Sequence, residues 1–152
     1  NRDLVLHVLA GLGRADCQVL APVRSHLRQE DLETLPRNVH VTDWIPAHQL
    51  GDAVDLAITH GGEGTVQTSC VQGWPFIGIP LQFEQRFNVQ RCVAFGSARL
   101  VSQREARRTD WAALVRQALA DEGMRSRARR MARLMEGLDG PGRAAEAICE
   151  LL

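Results

Sequence analysis

A chain of 152 residues with 45% hydrophobic content is long enough for one domain with a buried core. Its 18 basic and 18 acidic residues cancel to a formal net charge of zero, so no overall field steers it towards nucleic acid or an anionic membrane. All 18 basic residues are arginine, which excludes a Walker-type phosphate lysine and a Schiff-base lysine alike.

In chain order, Leu4-Val5-Leu6, Val8-Leu9 and Leu12 fit a helix that leads to Gly13, and Cys17 to Ala21 reads as a strand stopped by Pro22. Residues 24–37 are polar apart from Leu27, Leu32 and Leu35, a pattern for a loop with a short helix. Val39-His40-Val41 is the next strand, residues 47–53 a short helix, and Asp55 to Thr59 a buried strand. After a glycine-rich turn, Val66 to Gln72 is a short helix closed by Gly73. Phe76 to Ile79 and Ala98 to Val101 are strands, and between them runs a helix from Glu84 to Phe95 that Gly96 caps. Strands alternating with helices of these lengths predict an α/β fold built on a parallel sheet with helices on both faces.

The last third is helical. Thr109 or Asp110 caps a helix with Trp111, Leu114, Val115, Ala118 and Leu119 on one stripe, and Met124, Ala128, Met131 and Met135 mark a second. Pro141 opens a third, ending in Ile148, Leu151 and Leu152. Nine arginines lie between Arg104 and Arg133 against four acids, but no aromatic residue except Trp111 is interleaved with them. That composition reads as a solvated helix face rather than an RNA site, with docking of a partner domain as the other use. Cys17, Cys70, Cys92 and Cys149 form no CxxC pair, so buried free thiols are expected and no zinc knuckle. With no leader-like segment and no apolar run near eighteen residues, a reduced cytoplasmic protein is the simplest expectation.

The turn Thr59-His60-Gly61-Gly62-Glu63-Gly64-Thr65 joins a strand to a helix. Its glycines let the backbone approach an anion, and the N–H groups and positive dipole end of a helix starting near Gly64 and Thr65 favour negative charge. His60 and Thr65 add side-chain donors, although three glycines alone fit a plain strand-to-helix turn equally well. Around the turn stand Asp43-Trp44-Ile45-Pro46, with Trp44 sixteen residues before His60, then Gly73-Trp74-Pro75, Pro80 and Glu84-Gln85-Arg86-Phe87-Asn88. In this order and spacing, residues 39–101 resemble the donor-binding signature of the GT-B glycosyltransferases, which use nucleotide-diphosphate sugars.

The resemblance implies a set of donor contacts. Trp44 would stack on the nucleobase while the backbone of Ile45 hydrogen-bonds to it. His60 would help stabilise the leaving nucleoside diphosphate, together with the turn and helix-start groups of Gly61, Gly62, Gly64 and Thr65. Glu84 and Gln85 match the acid–glutamine pair that holds sugar hydroxyls, with Glu where Asp is commoner. Thr68 stands where many members carry a glutamate on the ribose hydroxyls, which leaves the ribose contact unassigned. His7, His26, His40 and His48 have no spacing that points to a metal or a triad.

The same resemblance implies a Rossmann-like doubly wound sheet, the C-terminal half of a GT-B fold, serving an inverting transferase. That enzyme would move a hexosyl or deoxysugar unit from a UDP- or TDP-sugar to a small-molecule hydroxyl, as natural-product transferases do, without a metal. No general base is expected among residues 1–152; it would lie in an N-terminal acceptor half supplied in cis or in trans. In the doubly wound fold a central first strand precedes the helix at which this chain begins, so either the sequence starts just past that strand or the strand is supplied from elsewhere, because a sheet lacking it would leave two unpaired edges. The expected partners are a nucleotide sugar and that acceptor half, with self-association left open and nucleic acid excluded. Two rivals are the donor subunit of a lipid-linked N-acetylglucosaminyltransferase and a non-catalytic nucleotide-binding module.

Overall fold

The computed structural model describes residues 2–151. The first helix, α1 (Arg2–Leu12), buries Leu4, Val8, Leu9 and Leu12, the stripe that the periodicity predicts. β1 (Val19–Ala21) pairs in parallel with β2 (Val39–Val41), Val19 opposite Val39, with α2 (Gln29–Leu32) in the connection. β3 (Ala57–Thr59) pairs in parallel with β4 (Phe76–Gly78), and β4 with β5 (Ala98–Leu100). Parallel neighbours need crossovers, which α3 (Glu63–Gln72) and α4 (Phe83–Phe95) provide. Four helices follow: α5 (Gln103–Ala106), α6 (Trp111–Leu119), α7 (Glu122–Met135) and α8 (Gly140–Cys149).

Successive strand residues face opposite sides of a sheet, and the core divides accordingly. Ala57, Phe76 and Ala98 pack with Val66 and Cys70 of α3 and with Val89 and Cys92 of α4. Ile58 and Ile77 pack with Leu4, Val8 and Leu12 of α1 and with Trp111, Val115 and Ala118 of α6. Helices therefore cover both faces, the doubly wound arrangement. Burying Phe76, Ile77 and Val89 completely stabilises the fold by roughly 1.5–3 kcal/mol each. Gly11 allows α1 to lie directly on Trp111, since a Cβ at that position would come within 2.9 Å of the tryptophan side chain.

Several elements differ from the sequence expectation, each for a physical reason. The strands form a two-stranded sheet and a separate three-stranded one, so β1 and β3 are each paired on one side only. β3 is accordingly shorter than expected and half-buried rather than buried. Residues 47–53 form two 3-10 turns, Ala47–Gln49 and Gly51–Ala53, because Gly51 takes a left-handed φ of 49° that breaks a continuous helix. α3 begins at Glu63, three residues earlier than its apolar residues mark it. The short helix α5 was not expected, although Ser102 and Glu105 form a reciprocal capping box at its start. Cys149 is exposed rather than buried, as is the rest of α8 after Gly142. Leu152, expected to close that helix, lies outside the described residues. Trp111 is fully buried, with its indole N–H donating to the Ala106 carbonyl at 3.0 Å, so the basic stretch offers no aromatic surface to a nucleic acid. Among the described residues no helix is long and apolar enough to cross a membrane.

One buried charge ties the N-terminal helix to this frame. Asp31 on α2 accepts from Arg2 Nε at 2.8 Å and from the Arg28 amide at 2.7 Å. The Arg2 hydrogen bond, reinforced by that amide, holds the Asp31 carboxyl below its usual range. A carboxylate depressed by folding adds stability above its unfolded pKa of about 3.9 and loses it as pH falls through the lower folded value. Asp31→Asn is therefore expected to lower the thermal midpoint at neutral pH, and the gap to the native chain to close below about pH 4. Thermal melts between pH 2.5 and 7.5 check this, and a gap that stays constant across that range would contradict it.

Candidate functional site

Every candidate residue from the sequence lies beyond the C-terminal end of β2, β3 or β4, the edge at which open parallel sheets bind ligands. Beyond β3 the chain makes its glycine turn. Gly61 has a φ of 86°, and a Cβ there would meet Val89 Cγ2 at 2.5 Å and the Gln85 carbonyl oxygen at 2.9 Å. Only glycine satisfies both the left-handed backbone and the approach of α4. A short relay then fixes the turn: the Gly61 N–H donates to Thr59 Oγ1 at 3.2 Å, Thr59 donates to Thr65 Oγ1 at 2.7 Å, and Thr65 donates to the Gly62 carbonyl at 2.9 Å.

Gly62 is the N-cap of α3 and has no side chain to satisfy the helix start. The N–H groups of Gly62, Glu63, Gly64 and Thr65 have no acceptor among the described residues. Four unsatisfied donors and a helix dipole converge on an exposed surface, which is an anion-binding arrangement. The exposed His60 ring lies against Gly62, close enough that a Cβ there would stand 2.5 Å from Nε2. Two hydroxyls expected to serve ligand are otherwise engaged. Thr65 holds the Gly62 carbonyl, leaving its backbone N–H for an anion, and Thr68 donates to the Gly64 carbonyl at 2.8 Å within its own helix.

The acid and glutamine on α4 are not equivalent. Gln85 is buried, and its Oε1 accepts from the amides of Leu81 at 2.8 Å and Gln82 at 3.2 Å, forming the capping box of α4. Only its NH2 group is left to donate. Glu84 is exposed one position earlier and accepts a hydrogen bond from Asn88, which also donates to the Gly61 carbonyl at 3.2 Å. Asn88 was read in the sequence as part of the motif with no role. Its position four residues after Glu84 on a helix was the signal for the contact.

Beyond β2, Trp44 is 73% exposed, which rules out core packing, while Ile45 beside it is half-buried. The segment after Trp44 is fastened to α3 and its C-cap: Gln72 Nε2 donates to the His48 carbonyl and the Trp74 indole N–H to the Gly51 carbonyl, both at 2.8 Å. Trp74 is buried and so has a structural part only.

The sequence profile of the family described as erythromycin biosynthesis protein CIII-like, C-terminal domain, matches residues 6–151. The chain belongs to this family. The oleandomycin glycosyltransferase of Streptomyces antibioticus is 34% identical over 122 residues, which span 78% of this chain and 27% of that protein. A PGL/p-HBAD biosynthesis glycosyltransferase of Mycobacterium tuberculosis is 28% identical over 134 residues, 87% of this chain and 30% of that one. The chain thus spans about 30% of the length of such curated relatives. Among solved structures, the kitacinnamycin glycosyltransferase superposes with a TM-score of 0.80 at 27% identity, over 99% of this chain and 38% of that one. The glycosyltransferase VinC, at 20% identity and a TM-score of 0.74, shares the fold. The doubly wound C-terminal half of a GT-B fold, expected from the motifs, is therefore the fold of this family member.

The glycine turn yields a test independent of any ligand. Gly61→Ala forces a left-handed φ on alanine and drives its methyl into Val89, costing on the order of 1–3 kcal/mol or more. Gly64→Ala, where a Cβ meets nothing within 4 Å, is expected to leave stability nearly unchanged. Denaturant unfolding of both variants checks the contrast, and equal midpoints would contradict the close approach of α4.

Proposed function

We propose that this chain is the donor-binding domain of an inverting glycosyltransferase that moves a sugar from a nucleoside-diphosphate sugar to a small-molecule hydroxyl. The observation that carries this reading is the set of four unsatisfied N–H groups at the start of α3, with the His60 ring laid against the same turn. Donors fixed in advance at that point stabilise charge as it develops on a departing diphosphate. The acceptor oxygen would form its bond to the anomeric carbon while the bond from that carbon to the diphosphate oxygen breaks. Its proton would pass to a base on an acceptor-binding half, in cis or in trans. Glu84 and the Gln85 NH2 stand on the adjacent helix for the sugar hydroxyls, and Trp44 offers an exposed plane for the base. The membership of glycosyltransferase halves in this family supports the reading, and neither rival draws support from the relatives.

VinC is described in complex with dTDP, which makes thymidine diphosphate the first ligand to try and uridine diphosphate the second. Calorimetry is expected to show either diphosphate binding more tightly than its monophosphate, because the second phosphate engages the free N–H groups. Trp44→Ala should weaken binding by roughly 1–3 kcal/mol with the fold intact, the loss typical of a removed stacking platform. Equal affinity for mono- and diphosphate would overturn the placement of the diphosphate.

Catalysis sets a separate requirement. Among His7, His26, His40 and His48, only His40 has a side-chain partner among the described residues, Gln18 just before β1, remote from the turn. A base must stand about 2.6–3.2 Å from the acceptor hydroxyl in a cleft that excludes water, whereas Trp44, His60 and Phe83 are open to solvent. The chain alone is expected to release no nucleoside diphosphate from sugar donors across a broad acceptor panel, and to do so once an acceptor half is joined or added. Robust turnover by the lone chain would contradict the divided site.

A further inference from the structure

The one side chain that touches both halves of the candidate site is Asn88. Its amide nitrogen carries two hydrogens, and both are engaged: one on the Gly61 carbonyl at 3.2 Å, the other on Glu84 Oε1. The first bond acts on the turn. Because a peptide unit is planar and trans, directing the Gly61 carbonyl towards α4 aims the Gly62 N–H the opposite way, among the free donors of the helix start. The second bond acts on the acid. It fixes one oxygen of an otherwise exposed carboxylate and leaves the other to accept from a ligand hydroxyl.

We propose that Asn88 is a positioning residue that sets the orientation of the Glu84 carboxylate relative to the glycine turn, and thereby decides how strongly a sugar is recognised beyond its nucleoside diphosphate. This rests on the donor-binding reading above. A long, exposed glutamate has three rotatable bonds, and without a tether it pays side-chain entropy to meet a sugar hydroxyl. Asn88 removes that freedom before the ligand arrives. The tether also sets the span between the two subsites, because its two acceptors belong to different elements, one to the turn after β3 and the other to α4. Packing does not demand the contact: Asn88 is half-buried, Glu84 is exposed, and Val89 with the Gln85 carbonyl lies directly under the turn at Gly61.

The test compares thymidine diphosphate with thymidine-diphosphate-glucose, and uridine diphosphate with uridine-diphosphate-glucose, by calorimetry on the full chain. The variants are Asn88→Ala, Asn88→Leu, which keeps the volume without the amide, Glu84→Ala and the pair Glu84→Ala/Asn88→Ala. In both Asn88 variants the sugar nucleotide is expected to lose about tenfold more affinity than the bare diphosphate, the scale of one misplaced hydrogen bond to a charged group. In the Glu84→Ala background, removing Asn88 should change the ratio of the two affinities little. A merely structural role would weaken both ligands alike and leave that ratio unmoved, and this outcome, in a variant with native circular dichroism, overturns the proposal while the donor-binding reading stands. Failure of the unaltered chain to bind any of the four ligands overturns that reading and the proposal together.

Discussion

The geometry of this domain depends on Val89 occupying space that two glycines leave open. A Cβ at Gly61 or at Gly78 would stand 2.5 Å from Val89 Cγ2, so α4 is seated simultaneously against the turn after β3 and against β4. Interiors are close-packed, and a single methyl group on either glycine would lift the helix. Everything the site needs from α4 follows from that seat. The carbonyl of Gln85 reaches the turn, Asn88 reaches the Gly61 carbonyl, and Glu84 projects beside the helix start of α3.

A second constraint aligns the remaining wall. α7 packs along α3 where Gly73, with a φ of 71°, ends that helix and comes within 3.3 Å, by its absent Cβ, of Ala132. Of the nine arginines of the basic stretch, all but Arg125 are exposed, and only a few cationic contacts serve this assembly. Arg99 pairs with Asp121 at 2.9 Å, Arg125 with Glu122 at 2.7 Å, and Arg130 lies 6.0 Å over the ring of Phe95. Pairs this exposed contribute little each, about 0–1 kcal/mol, and Arg125–Glu122 lies within α7 itself. The rest of the basic stretch is a solvated helix face.

The helices closed by Gly73 and Gly96 were legible because both positions demand a left-handed residue, and the alternation of apolar strands with these helices implied the parallel order. The free amides at the start of α3 were legible only as one of two readings, since a glycine-rich turn before a helix also fits a plain connection. What the sequence did not disclose is how each polar side chain divides its hydrogen bonds. Gln85 looks in sequence like a free partner of Glu84, yet tertiary burial turns its carbonyl into a helix cap. Thr65 and Thr68 look like donors to ligand, but their hydroxyls find carbonyls within one turn of helix. Asn88 carries no local signal of the distant Gly61 carbonyl, a partner that only the crossing of α4 over the turn brings near. The resemblance pointed to a candidate site; the competition for hydrogen bonds inside it had to be seen.

The division of the strands into two sheets bears on how this polypeptide behaves in a test tube. β1 and β3 each present one row of unpaired peptide groups, and Leu20 on β1 is half exposed. Such rims are templates on which another chain can zip. Each is only three residues long, offering a few hydrogen bonds of about 1 kcal/mol apiece, too little to hold two molecules together in dilute solution. Shortness is thus what keeps these open rows of peptide groups from acting as strong pairing sites.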